Sequence, residues 1–253
     1  MIELHQLRPG DPPDAFPDPS LAAVEPNGLL AIGGDLEPAR LLAAYARGIF
    51  PWYEAGQPIL WWSPDPRAIL WPARLHISRS LRRTLRRNHF RVSIDLAFDA
   101  VVAACAETRR ASGTWITAEM QAAYGQLHEL GHAHAIEVWQ GSKLVGGVYG
   151  VVLGQVFFGE SMFSLADDAS KVALVWLAHL ADSHGLRLID CQVPNPHLAS
   201  LGSELLPRAE FMEYLDQLIP GDGSRRAWRH DPEPTAGLGT SGIDRVPLRD
   251  RTS

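Results

Sequence analysis

The sequence predicts an α+β fold in which an antiparallel meander feeds a β-α-β closure, preceded by a small irregular N-terminal domain. Three observations carry that prediction. HAIEVWQ, KLVGGVYGVV and QVFFGESMF are strand-like runs joined by turns at Gly141-Ser142 and Gly154-Gln155. ASKVALVWLAHLADSHG follows with its apolar residues at helical spacing, and LRLIDCQV then returns to strand alternation. Residues 1–66, in contrast, are dense in Pro and Gly and carry only short apolar pieces.

Within 1–66 the segment best suited to a helix is Glu37 to Ala46, opened at Asp35 or Leu36, with Pro38 in its first turn and Gly48 near its end. From Arg67 the patterns become regular. A strand, AILW, leads to a basic helix from Ser78 to Arg87, a strand, FRVSID, and a helix through AFDAVVAACAET. After the turn RRASGTW a helix spans Thr117 to Leu130, and the meander follows. The next helix takes Asp168 as N-cap, an apolar face at Leu174, Leu177 and Leu180/Ala181, and Gly185 as its stop. The strand LRLIDCQV and a last helix, AEFMEYLDQL, complete the regular part. Beyond Pro220 the chain is turn-rich, so the expected division is 1–66, 67–220 and a flexible tail from 221 to 253.

The 253 residues suffice to bury a core without covalent staples. Two cysteines, Cys105 and Cys191, make no disulfide framework, which favours a reducing compartment. The first residues lack a basic segment followed by an apolar one, and no run approaches the roughly 18 apolar residues of a membrane span. The expectation is a cytoplasmic protein without membrane attachment. A net charge of −6 gives no global attraction to nucleic acid, so any polyanion must meet a local patch.

Such a patch exists in HISRSLRRTLRR. On a helix Arg79, Arg82, Arg83, Arg86 and Arg87 form one stripe opposite Ile77, Leu81 and Leu85. A solvated basic face is the plain reading. Five arginines with no acidic neighbour in an otherwise acidic chain favour a phosphate-facing one. Aromatics gather upstream at Trp52, Tyr53, Trp61, Trp62 and Trp71, with Trp115 further on; most are core material, and some can stack an unpaired base.

The polar intrusions into apolar strands are the next candidates. Glu160 sits inside FFGESMFS, where an unpartnered carboxylate would cost several kcal/mol. In LRLIDCQV, alternation puts Leu188, Asp190 and Gln192 on one face and Ile189, Cys191 and Val193 on the other. Two such carboxylates on neighbouring strands would perturb each other and mark a cleft. The alternative is that one of them pairs with an arginine as a structural ion pair. HELGH, residues 128–132, matches a zinc-hydrolase pattern, followed by His134. Gly131 stands where the helix should stop, and HAHAIEVW alternates like a strand, so the two histidines are not expected to share a helix face, and no metal is expected.

From FPDPSLA to the last helix the following blocks occur in order: EPNGLLAIGGDL, LLAAYARGIFPWY, ILWWSPDPRAIL, HISRSL, GTWIT, LHELGHAHAIEVW, LVGGVYG, FFGESMFS, DASKVAL, LIDCQ and HLASLG. In these the chain resembles the leucyl/phenylalanyl-tRNA-protein transferases. The resemblance implies a small N-terminal domain on a GNAT-like (acyl-CoA N-acyltransferase-like) domain with a mixed, mostly antiparallel sheet. It implies a monomeric enzyme without cofactor that moves Leu or Phe, with Met as a further cargo, from aminoacyl-tRNA to the N-terminal amine of proteins starting with Arg or Lys. That transfer marks them for degradation through the N-degron route.

By resemblance Asp190 and Gln192 are the catalytic pair, Asp190 polarising the amide of Gln192, and Glu160 orients the amine or the aminoacyl group. The side-chain pocket is assigned to Val148, Phe157, Met162, Leu174, Leu177 and Ile189, with Trp52 and Trp115 sandwiching the terminal adenine. Val148 and Leu177 are smaller than the Met and Phe expected in relatives, and Leu165 replaces a basic residue usual after MFS. An acyl-CoA enzyme is the rival; it would need a Gly-rich pyrophosphate turn where this chain has SLADDASK, with two aspartates and no glycine. A binding module that has lost turnover is the non-enzymatic alternative.

Overall fold

Two sheets organise the chain in the computed structural model, which describes residues 4–109, 113–220, 228 and 230–235. The first is built from β1 (His5–Leu7), β2 (Leu29–Gly33), β3 (Phe50–Pro51) and β4 (Leu60–Trp62), in the order β1-β2-β4-β3. Helix α1 (Pro38–Ala46) connects β2 to β3, with Pro38 in its first turn as expected. The N-terminal part is therefore less irregular than its composition implies. Its strands are two to five residues long, too short for alternation to register. Buried Trp61 ties them together, donating from Nε1 to the Gly33 carbonyl at 2.8 Å.

The second sheet has eight strands: β5 (Arg67–Leu70), β6 (Arg91–Ile94), β7 (Ala133–Gln140), β8 (Lys143–Leu153), β9 (Val156–Ser164), β10 (Leu188–Gln192), β11 (Glu204–Leu206) and β12 (His230–Pro234). Their order is β11-β5-β10-β9-β8-β7-β6-β12. Every neighbouring pair is antiparallel except β9 with β10, so the sheet is mixed and mostly antiparallel. The parallel pair needs a crossover, and α5 (Ala169–His184) supplies it.

Helices α2 (Arg79–Arg86) and α5 cover one face of this sheet, burying Leu81, Leu85, Val172 and Leu177 against Ile136, Val138 and Phe157. Helices α3 (Phe98–Arg109), α4 (Ala118–Glu129) and α7 (Arg208–Leu218) share the other face with α1 and the small sheet in one continuous apolar cluster. Local caps fix the starts of two helices: Ser78 Oγ accepts the Leu81 N–H, and Thr117 Oγ1 accepts the Met120 N–H. Gly185 ends α5 in the left-handed region, φ 71°.

One expectation is corrected. Asp168 stands at the N-cap of α5 but makes no cap bond; its carboxylate accepts from Thr84 Oγ1 at 3.0 Å and Lys171 Nζ at 2.9 Å, so it clamps α2 to α5. Part of the segment beyond Pro220 packs on the larger sheet. Trp228 is buried, His230–Pro234 pair with β6, and Thr235 Oγ1 donates to the Leu85 carbonyl at 3.1 Å. The remainder of 221–253 lies outside the described residues. No helix among the described residues is long and apolar enough to cross a membrane.

Candidate active site

The parallel pair β9–β10 holds register at only three positions, ending at Asp190 opposite Phe158. Both strands become irregular there. On β9, Tyr149 opposes Ser161 and Gly150 opposes Gly159, so Glu160 is an extra residue with no partner across the ladder. On β10, Asp190 opposes Ile69 and Gln192 opposes Ala68, so Cys191 is the extra one. Such bulges bend a strand and re-aim its side chains. The β9 bulge depends on Gly150, because a Cβ there would lie 2.2 Å from the Phe158 carbonyl oxygen.

Beyond the bulges opens a cleft of about 680 Å³. Glu160 and Gln192 meet in it: Gln192 Nε2 donates to Glu160 Oε1 at 2.9 Å. Glu160 is 7% exposed and accepts two further bonds, from Tyr45 Oη at 2.7 Å and Tyr124 Oη at 2.6 Å, and the two hydroxyls are themselves 2.6 Å apart. Burial pushes Glu160 up to about 7 against the pull of the tyrosine hydroxyls, with the Asp190 charge adding to the rise. Burial beside Glu160 also holds both tyrosines well above their ordinary value, so they stay protonated and remain donors.

Asp190 is fully buried and paired. Arg67 Nε and Nη2 reach its two carboxylate oxygens at 2.8 and 2.6 Å, while Nη1 donates to the Gly48 carbonyl at 3.0 Å. The guanidinium lies between the rings of Phe50 and Phe211, 4.8 Å from each centroid. The ion-pair reading of one carboxylate thus holds for Asp190, alongside the cleft reading. Asp190 Oδ1 also accepts the backbone N–H of Gln192 at 2.9 Å. Gln192 has φ 63°, a costly conformation for a residue with a side chain, and this bond stabilises it. The expected contact of Asp190 with the Gln192 amide is therefore replaced: Asp190 bonds the Gln192 backbone, and Glu160 bonds its amide.

Ten of the expected site residues line the cleft: Trp52, Trp115, Val148, Phe157, Glu160, Met162, Leu174, Ile189, Asp190 and Gln192. Leu177 does not. It shares the face of Leu174 but sits nearly one helical turn further along α5, where it is fully buried in the core against the sheet. Trp52 is 43% exposed and Trp115 half-buried at the cleft wall. The arginine stripe lies outside the cleft on α2, with Arg79, Arg83, Arg86 and Arg87 exposed and Arg82 half-buried, its Nε on the Ile77 carbonyl. Helix α2 packs on α5, whose Ser170 and Leu174 line the cleft.

HELGH behaves as its glycine predicts. Gly131 is left-handed at φ 76°, α4 ends before it, and His132 lies beyond the helix. Asp95, His128 and His134 do gather, each offering a ligand atom within 4.8 Å of the others. His134 Nδ1 donates to Asp95 Oδ2 at 2.7 Å and His128 Nδ1 to the Ala133 carbonyl at 2.8 Å, so these nitrogens already serve the link between β6, β7 and α4.

Tyr45, Tyr124 and Arg67 were not singled out by the sequence. The two tyrosines look like apolar-face residues of ordinary helices. Arg67 had a signal: a lone arginine opening a wholly apolar strand needs a buried partner.

Comparison with known proteins identifies the family. Profiles described as leucyl/phenylalanyl-tRNA protein transferase and its N-terminal domain match residues 69–216 and 34–65. A leucyl/phenylalanyl-tRNA-protein transferase of Methylococcus capsulatus is 55% identical over 227 residues, covering 89% of this chain and 97% of that one. Another, from Shigella dysenteriae, is 56% identical over 214 residues, covering 85% and 91%. Among solved structures, a GCN5-related N-acetyltransferase from Kribbella flavida aligns at 12% identity and TM-score 0.32, covering 66% of this chain and 59% of that one. The extent and identity of these matches place the chain in the leucyl/phenylalanyl-tRNA protein transferase family, which are aminoacyltransferases.

Proposed function

We propose that this aminoacyltransferase moves Leu or Phe from aminoacyl-tRNA to the N-terminal amine of proteins beginning with Arg or Lys, as a cytoplasmic step toward their degradation. The observation that carries the reading is the bonded pair Glu160–Gln192 where β9 and β10 part, inside a cleft walled by Val148, Phe157, Met162, Leu174 and Ile189. That wall suits an apolar side chain. Trp52 and Trp115 in the same cleft suit an unpaired terminal base, and the arginines of α2 suit the phosphates. Glu54 also lines the cleft and offers a carboxylate to a basic first residue.

The donor is an ester and the product an amide, so transfer runs downhill. The protein must supply position, proton handling and stabilisation of the oxyanion. Gln192 gives its Nε2 to Glu160, which leaves its Oε1 to accept an N–H of the incoming amine. Asp190, neutralised by Arg67, acts one step back by holding the Gln192 backbone in its left-handed turn. The test is incubation of labelled leucyl-tRNA with peptides starting in Arg, Lys or Ala. Label on the first two supports the reading; equal label on the Ala peptide, or none on any, overturns it.

A further inference from the structure

We propose that Tyr45, Tyr124 and Glu160 form a closed ring for holding one proton, in which Glu160 takes the proton shed by the attacking amine and returns it to the departing ribose oxygen. This rests on the transfer reading above. The geometry is three oxygen–oxygen contacts: Tyr45 to Glu160 Oε1 at 2.7 Å, Tyr124 to Glu160 Oε2 at 2.6 Å, and Tyr45 to Tyr124 at 2.6 Å. With Glu160 ionised, two hydroxyl protons serve three contacts. With Glu160 protonated, three protons serve three contacts: the carboxyl donates to one tyrosine, that tyrosine to the other, and the other back to the second carboxyl oxygen. The ring is complete only when it carries the extra proton, and Gln192 keeps its own bond to Oε1 throughout.

Among the groups packed directly around the ring, that exchange falls to Glu160. Tyr149 on β8 is fully buried, and burial beside Glu160 keeps it protonated, as it does Tyr45 and Tyr124. Burial likewise holds Cys105 of α3, up at about 12, and Cys191 of β10 as thiols. On β10 Asp190 is occupied by Arg67 of β5. Arg109 at the end of α3, with Glu54 and His197, lines the same cleft. Burial places Glu160 itself at about 7, close to an α-amine at about 8, so proton exchange between the two is nearly balanced.

The steps balance. The amine lone pair forms the C–N bond and the carbonyl electrons move to oxygen. The nitrogen then gives a proton to the Glu160 carboxylate. The ester C–O bond breaks with its pair going to the ribose oxygen, which takes the proton back from Glu160 as the carbonyl re-forms. Ester and amine become amide and alcohol, and the ring is restored. Glu160 is the catalytic residue; the two tyrosines are positioning residues.

The test is single-turnover transfer from labelled phenylalanyl-tRNA to one Arg-initiated peptide, followed along the acid side of the pH profile. The peptide's own amine titrates identically in every arm. Tyr45→Phe and Tyr124→Phe each open the ring and change the balance between its protonated and ionised forms, so each moves the acid limb by about half a unit or more. Glu160→Gln lowers the rate by about a hundredfold while charged-tRNA binding, measured in parallel, is kept. An acid limb that stays in place in both tyrosine variants overturns the ring, and so does a Glu160→Gln variant that transfers at the wild-type rate. Wild-type protein that transfers nothing to the peptide overturns the functional reading itself, and the proposal with it. The Glu160→Gln arm decides the matter if a tyrosine variant fails to fold.

Discussion

Replacing Arg67 by Met should destabilise the protein through the carboxylate it strands rather than through lost volume. Arg67 is 1% exposed and Asp190 0%, so in Arg67→Met the charge at Asp190 stays in the interior without a counter-ion. Removing one partner of a buried pair costs about 3–5 kcal/mol. For a chain of this size, about 4 kcal/mol lowers Tm by roughly 8–16 °C. Urea unfolding followed by tryptophan fluorescence, with eight tryptophans as reporters, measures the difference. Arg67→Met with Asp190→Leu, which leaves no stranded charge, should recover much of the loss. A single variant within about 1 kcal/mol of wild type at neutral pH, or a double variant no more stable than the single one, refutes the reasoning.

Two further outcomes follow from the same geometry. Glu160 lies at about 7 in the folded chain against an ordinary value of 4.5, so the folded state binds a proton that the unfolded state has released between those values. Wild-type stability should therefore fall as pH rises through that window, by about 3 kcal/mol, and Glu160→Gln should lack the fall; parallel pH slopes for the two would contradict it. Replacing Arg82, Arg83 and Arg86 together by Ala should flatten the salt dependence of charged-tRNA binding by about two logarithmic slope units, and an unchanged slope would show that α2 does not face phosphate.

The parts of the fold legible in the sequence are those with long periodic runs. The meander, α5 and β10 announce themselves because alternation or helical spacing persists over many residues. The two-residue β3, the three-residue β1, β4 and β11, and the five-residue α6 (Pro196–Ser200) are too short to carry a period. Likewise, the site was half visible. Glu160, Asp190 and Gln192 stood out because polar groups in apolar strands demand partners. Which partner each takes was not visible, because it depends on two bulges that re-aim Glu160 and displace Cys191. Strict alternation cannot represent an inserted residue. Tyr45 and Tyr124 escaped notice because a tyrosine on an apolar helix face shows its polar end only once its neighbours are known.

The reach of Glu160's hydrogen bonds along the chain has a consequence for synthesis. Its partners lie 115 residues before it at Tyr45, 36 before it at Tyr124 and 32 after it at Gln192. A nascent chain emerging from the ribosome exposes the first two long before Gln192, so a partly made copy holds an incomplete centre. The hydrogen-bonded centre around Glu160 therefore closes only once residue 192 of 253 has been made.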